Sequence, residues 1–245
     1  MNLLLTRPEA GPDEDPLHAA LLDAGHGVLS APLLRVEPTG ARPSFEGVAG
    51  LVVTSRNALK AVAATPPISD AVRALPLFAV GPGTGALARE LGFERITEGP
   101  GTGRELAEII RGAMPPGAAP LVHLAGETLA FDLKGALAPD GITVRVDTVY
   151  RTLPAEVLPA EAAAALRAGT LDGVLLMSPR TAMVYARLIQ ASGLVPEAAR
   201  PVHFCISDAV ARQLAPLGTV RVAVARAPNS QEMLALVARE APDSF

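Results

Sequence analysis

Tryptophan is absent from these 245 residues, tyrosine occurs twice, cysteine once, and lysine only at Lys60 and Lys134. With Cys205 alone, neither a disulfide framework nor a multi-cysteine metal centre can form within the chain. No apolar run approaches the ~20 residues needed to span a bilayer. Met1-Asn2-Leu3 lacks the charged start and following apolar stretch of an export signal. These absences predict a soluble, cytoplasmic protein. A formal charge of −4 argues against non-specific nucleic-acid binding, which rests on an excess of basic groups. Aromatics make up 3% of the chain and apolar residues 49%, so Ala, Leu and Val fill the core. Almost all cations are arginines, whose planar forks suit carboxylates if they line a cleft; genomic base composition is the simpler source of that bias.

What is present is an alternation of short apolar runs and helical periodicities. Leu3-Leu4-Leu5-Thr6, Gly50 to Thr54, Leu77 to Val80, Leu121 to Leu124, Gly173 to Ser178 and Val202 to Ser207 read as strands buried on both faces. Further strands are expected at Val28–Leu34, Arg95–Thr97, Thr143–Tyr150 and Val220–Val224. Helices are expected between them. One carries Leu17, Leu21 and Ala24 and stops at Gly25, after a loop at Arg7-Pro8-Glu9. Another opens at Ser55-Arg56-Asn57 and is broken by Pro66-Pro67. Thr102 caps a stripe of Leu106, Ile109, Ile110 and Ala113, a helix follows over Phe131–Leu137, and Asn229-Ser230 cap the last.

The pattern repeats within the chain. Thr54-Ser55-Arg56-Asn57-Ala58 overlays Ser178-Pro179-Arg180-Thr181-Ala182, Gly81 corresponds to Ser207, and Leu91 to Ile96 overlays Leu217 to Val222. The first β-α-β unit matches Leu121 to Arg151. The duplication is permuted, because the final third lacks a unit that the N-terminus can supply. This predicts an α/β protein of two similar lobes, each a parallel sheet flanked by helices. Lobe one is expected from 1–34 with 153–245, and lobe two from 38–148. The crossings, at about 35–37 and 149–152, are expected in two extended runs closed by proline, Ala31–Pro38 and Asp147–Pro154. An active cleft is expected beside them.

Ligands of open parallel sheets bind beyond the carboxyl ends of the strands. Thr6-Arg7, Thr54-Ser55, Gly81 to Thr84, Ala125-Gly126, Ser178-Pro179-Arg180 and Ser207-Asp208 are expected there. Helix N-termini at these junctions can hold anions without lysine, although each Ser or Thr is also an ordinary N-cap worth roughly 1 kcal/mol. Gly81-Pro82-Gly83-Thr84-Gly85 is neither a dinucleotide fingerprint nor a P-loop. His18, His26, His123 and His203 have no ligand spacing, so no metal is expected. Ser178 lacks a His–Asp relay.

Leu4-Leu5-Thr6-Arg7-Pro8-Glu9, Val53-Thr54-Ser55-Arg56-Asn57-Ala58, Ala79 to Thr84, Val149-Tyr150-Arg151-Thr152 and Met177-Ser178-Pro179 together resemble, in order and spacing, the uroporphyrinogen-III synthase family. The resemblance implies two α/β lobes joined by a two-stranded ladder. It also implies a cofactor-free, metal-free lyase that closes hydroxymethylbilane while inverting ring D through an azafulvene and a spiro intermediate. A monomer is the family expectation. The substrate bears an acetate and a propionate on every pyrrole, which suits helix N-termini and arginines. Tyr150 matches the family's tyrosine beside the cleft, and a phenol of ordinary pKa about 10 can donate a proton to the departing hydroxide at neutral pH. Thr84 and Ser178 match a family threonine and serine; with Arg7, Thr54, Ser55, Gly81, Arg180 and Ser207 they form the expected substrate-binding set. The chain departs from the family pattern at Ala125, Asp208 and Val210, which puts a carboxylate near an anion site and removes a base and a hydroxyl. A two-lobed anion- or tetrapyrrole-binding relative without turnover is the alternative.

Overall fold

The computed structural model describes residues 1–7, 15–64 and 68–241. The expected loop at Pro8-Glu9 and the helix break at Pro66-Pro67 lie outside the described residues. In chain order the elements are β1 (Asn2–Leu5), α1 (Pro16–Asp23), β2 (Gly27–Ser30), β3 (Leu34–Pro38), β4 (Gly50–Val53), α2 (Arg56–Ala63), α3 (Asp70–Arg73), β5 (Pro76–Ala79), α4 (Pro82–Glu90), β6 (Arg95–Glu98) and α5 (Gly103–Ala113). They continue with β7 (Leu121–Gly126), α6 (Leu133–Leu137), β8 (Val144–Pro154), α7 (Ala160–Ala168), β9 (Gly173–Leu176), α8 (Pro179–Ala191), α9 (Val195–Ala198), β10 (Val202–Cys205), α10 (Asp208–Ala211), β11 (Arg221–Val224) and α11 (Ser230–Glu240).

The chain divides into two compact units, 1–35 with 153–245 and 36–152. The first holds a five-stranded sheet in the order β11-β10-β9-β1-β2, and the second a sheet in the order β3-β8-β7-β4-β5-β6. Once β3 is set aside the two orders are the same, with β9 answering to β4, β10 to β5, β11 to β6, β1 to β7 and β2 to β8. The duplication read in the sequence is therefore a duplication of topology. The pairing of β3 with β8 aside, the paired strands of both sheets run parallel.

Each sheet is covered on both faces, as a parallel sheet requires. In the second unit Leu51, Val53, Val122 and Leu124 point to one core with Leu59, Val62 and Ala88. The alternate residues Val52, Phe78, Leu121 and Val144 point to another with Leu106, Ile110, Leu133 and Leu137. The first unit repeats this, with Leu4, Val174 and Leu176 on the α8 side and Leu3, Leu5, Leu175 and Phe204 on the α1–α11 side. The continuous apolar runs of the sequence are these doubly covered strands.

Three expectations change in detail. The run Val28–Leu34 is not one strand: β2 ends at Ser30 and β3 begins at Leu34. Pro32 has no N–H to extend the ladder, and its neighbours instead bond back to the end of β1, Ala31 N–H to Leu5 O and Leu33 N–H to Thr6 O. The helix expected at Phe131 begins at Leu133, because the Asp132 carboxylate caps it by accepting from Gly135 N–H at 2.9 Å. The internal overlay also shifts by one residue. Gly50 of β4 answers to Gly173 of β9, so Ser55 lies over Ser178, and these are the N-caps of α2 and α8. Thr54 therefore answers to Met177 rather than to Ser178.

Candidate functional site

In the second unit the ends of β4, β5, β7 and β8 surround a cavity of about 420 Å³ on the α5–α6 side of the sheet. Thr54 and Ser55 reach it from the end of β4, Val80 from β5, His123 and Gly126 from β7, and Tyr150 from β8. The opposite wall is the start of α5, Gly101 to Arg104, and the segment Thr128 to Phe131.

Two helix N-termini border this space. Ser55 caps α2, its hydroxyl accepting from Asn57 N–H at 3.2 Å. Thr102 caps α5, its hydroxyl accepting from Glu105 N–H at 3.3 Å while donating to the Glu105 carboxylate at 2.5 Å. First-turn amides have no partner within their own helix and carry a share of the helix dipole, so both ends favour anions. Arg104 adds a full positive charge, its guanidinium 5.8 Å from the centre of the Phe131 ring. Phe131 in turn lies close over Gly103, where a Cβ would sit 2.9 Å from the Phe131 Cβ. Apolar Leu129, Ala130 and Phe131 on the same wall can face the rings of a ligand whose acid groups meet the helix ends.

Tyr150 and Gly126 are register partners, and the pairing of β7 with β8 slips between Ala125 and Gly126. The phenol packs against Gly126 so closely that a Cβ there would come within 2.5 Å of Tyr150 Cζ. Only glycine allows this approach.

His123 is the one buried imidazole of the cavity wall, 1% exposed. Its Nε2 is 3.0 Å from Thr54 Oγ1, and its Nδ1 has no hydrogen-bond partner. Loss of solvation pushes its pKa down to about 4, so the ring is neutral at neutral pH.

Of the residues expected from the sequence, Thr54, Ser55 and Tyr150 meet at this cavity. Gly81 caps α4 with its backbone packed on Gly101 of the cavity wall, whereas Thr84 is buried one turn further along α4 and does not line the space. Arg7, Ser178, Arg180 and Ser207 belong to the first unit. Arg7 is held by the buried Asp15 carboxylate at 2.8 Å. The Ser178 hydroxyl accepts from Thr181 N–H at 3.1 Å and lies 2.8 Å from Thr181 Oγ1. Arg180 is exposed in the first turn of α8, and Ser207 caps the short α10 without a side-chain bond. The departures Ala125 and Val210 are both core positions here.

Thr102, Arg104, Phe131 and His123 were not anticipated as cavity residues. Thr102 was legible only as a cap. His123 left a sharper trace, as the one polar side chain within the buried run Leu121 to Ala125. Among the described residues no group of three or more His, Cys, Asp or Glu side chains converges.

A family model described as uroporphyrinogen-III synthase HemD matches residues 15–235. No curated protein matches the chain by sequence. Among solved structures, uroporphyrinogen-III synthetase from Helicobacter pylori superposes with a TM-score of 0.67 at 14% identity, covering 97% of this chain and 98% of that one. A mutant uroporphyrinogen III synthase from Thermus thermophilus gives a TM-score of 0.50 at 17% identity, covering 98% of each chain. At these identities the two structures bear on the fold, two helix-flanked parallel sheets, and the family match bears on the chemistry.

Proposed function

The chain belongs to the uroporphyrinogen-III synthase family, cyclising lyases of haem biosynthesis, and from that premise we propose how its residues close hydroxymethylbilane into uroporphyrinogen III with ring D inverted. The observation that carries the proposal is the convergence of Thr54, Ser55 and Tyr150 with two helix N-termini on one cavity. The volume falls within the ~300–1,000 Å³ typical of small-ligand sites and takes in the reacting termini of the linear tetrapyrrole, where ring D meets the hydroxymethyl group. Its acetate and propionate groups lie at the first turns of α2 and α5 and toward Arg104, and its pyrrole faces rest on Leu129 and Phe131.

Tyr150 then donates its phenolic proton to the departing hydroxide, which leaves as water; the phenolate takes up the pyrrole N–H proton as the azafulvene forms. The substituted carbon of ring D attacks the azafulvene methylene, giving a spiro intermediate that fragments and recloses with ring D inverted. Water-poor walls strengthen the hydrogen bonds that hold the reacting ends together. Gly81 and Thr84 support this cavity through the start of α4. For the other lobe taken by itself, 1–34 with 153–245 as against 38–148, Arg7, Ser178, Arg180 and Ser207 are the candidate anion-binding groups. The reading includes a cytoplasmic monomer, in keeping with the family and with a lone buried thiol, Cys205, whose pKa desolvation pushes up to about 12. Among the described residues no helix is long and apolar enough to cross a membrane.

The decisive assay supplies hydroxymethylbilane and resolves the type I and type III macrocycles after oxidation. Type III in large excess is the expected product. A type I excess equal to that of the protein-free control would remove the enzymatic reading.

A further inference from the structure

We propose that His123 is a positioning residue, fixing the Thr54 hydroxyl as a hydrogen-bond donor aimed into the cavity toward an acceptor oxygen of the substrate. This rests on the reading of the cavity as the cyclisation site.

The duplication provides an internal comparison. Through the register of β1 with β9 and of β4 with β7, His123 answers to Leu5 and Thr54 to Met177. In the first unit that pair is apolar, with Met177 packed on the cluster that contains Leu5. A sheet of this topology therefore has no need of an imidazole and a hydroxyl at these two places. The second unit has both, within hydrogen-bond distance and on the cavity wall.

The direction of the bond follows from the unpartnered atom. A neutral imidazole has one N–H and one lone pair. Were Thr54 to donate to Nε2, the N–H would sit on Nδ1, buried and without an acceptor. Orphaned buried N–H groups are rarer than under-satisfied acceptors, which puts the proton on Nε2. Thr54 Oγ1 then accepts from His123, and its own proton turns away from the ring. Thr54 is only partly buried and lines the cavity, so that proton faces the space the substrate enters. The ring stays neutral down to about pH 4, and the arrangement persists across the physiological range.

The test uses the full chain in four forms: wild type, Thr54→Val, His123→Leu and the double variant, with His123→Gln as a rescue because its amide N–H can reach Thr54 Oγ1. All are checked for folding by thermal unfolding and assayed for KM, kcat and type III fraction. Removing a hydrogen bond to a charged group costs roughly tenfold or more, so Thr54→Val should raise KM about tenfold and lower the type III share. His123→Leu should move both in the same direction by a smaller factor, the double variant should be no worse than Thr54→Val, and His123→Gln should recover part of the loss. Nitrogen NMR of the wild type should show the proton on Nε2. Folded His123→Leu with wild-type KM and product ratio, additive losses in the double variant, or a proton on Nδ1 would each overturn the assignment. Failure of the functional reading is a separate outcome, because it appears in the wild type as type I product alone.

Discussion

Gly126→Ala should lose roughly 100-fold in turnover and release mostly type I product while remaining folded. A Cβ on residue 126 would lie 2.5 Å from Tyr150 Cζ and 2.8 Å from both Cε2 and the phenolic oxygen. No rotamer of alanine relieves that overlap, so the ring of Tyr150 must be displaced. A shift of about 1 Å at a reacting group is enough for a ~100-fold loss. The accompanying cost in stability is that of an overpacked methyl, about 1–3 kcal/mol, which a domain of ordinary stability tolerates. Gly112→Ala is the matched control. It lies in α5 with nothing within 4 Å of the added methyl, and should stabilise by about 0.5–1 kcal/mol without changing the product ratio.

Tyr150→Phe separates the two parts of that effect. It keeps the ring and removes the proton, and general-acid assistance of the usual size would make its loss ~100-fold or greater. If Gly126→Ala is impaired while Tyr150→Phe is not, the ring shapes the cavity and the hydroxide leaves without help from the phenol. If Gly126→Ala yields wild-type product, Tyr150 is not at the reacting centre. Melting curves and the chromatographic ratio of the two macrocycles suffice to decide.

Much of this architecture was legible because doubly covered parallel strands leave unbroken apolar runs. Leu3 to Leu5, Leu51 to Val53 and Val174 to Leu176 need no partner to be recognised. The caps at Ser55, Thr102 and Asn229 were legible for the same local reason: a short polar side chain stands just before an amphipathic helix. Register was harder. Thr54 and Ser55 are both hydroxylated, so the overlay that sets Thr54 on Ser178 is off by one; the extended N-cap backbone of Ser55 decides it. The run Val28–Leu34 reads as one strand despite Pro32, and that β2 and β3 join different sheets depends on pairings far away in the chain. The cavity was the least legible part. His123 and Thr54 are 69 positions apart and acquire a joint meaning only when β4 and β7 lie side by side. Arg104 and Phe131 meet because α5 and the segment before α6 cover the same face of the sheet.

Acidification from pH 7 to pH 4 should cost the folded state about 6 kcal/mol, through two histidines that have no room for a charge. His123 and His203 are 1% and 0% exposed. His203 has a fixed tautomer: the Arg221 carbonyl, 3.2 Å from Nδ1, can only accept, so Nδ1 donates and Nε2 accepts from the Tyr185 hydroxyl at 3.2 Å. Burial lowers the pKa of each ring from 6.5 to about 4. Above pH 6.5 both are neutral in the folded and unfolded chains alike, and their contribution to stability is fully present. As pH falls from 6.5 toward 4 the unfolded chain takes up two protons that the folded chain refuses, so stability declines; below about pH 4 both states are protonated and the loss levels off. Each ring accounts for about 3 kcal/mol over that interval, a large share of a typical total of about 5–15 kcal/mol. Urea midpoints at pH 7, 6, 5 and 4.5 should fall steadily, and His123→Leu should roughly halve the slope because one of the two protons is gone. A flat profile between pH 7 and 5 would mean that these rings are solvated or already charged. The same measurement bears on activity, because the pKa of about 4 keeps His123 largely neutral in the folded protein over the upper part of this window. Turnover lost on mild acidification should therefore track the unfolded fraction rather than titration of the cavity wall, and the two curves should superimpose.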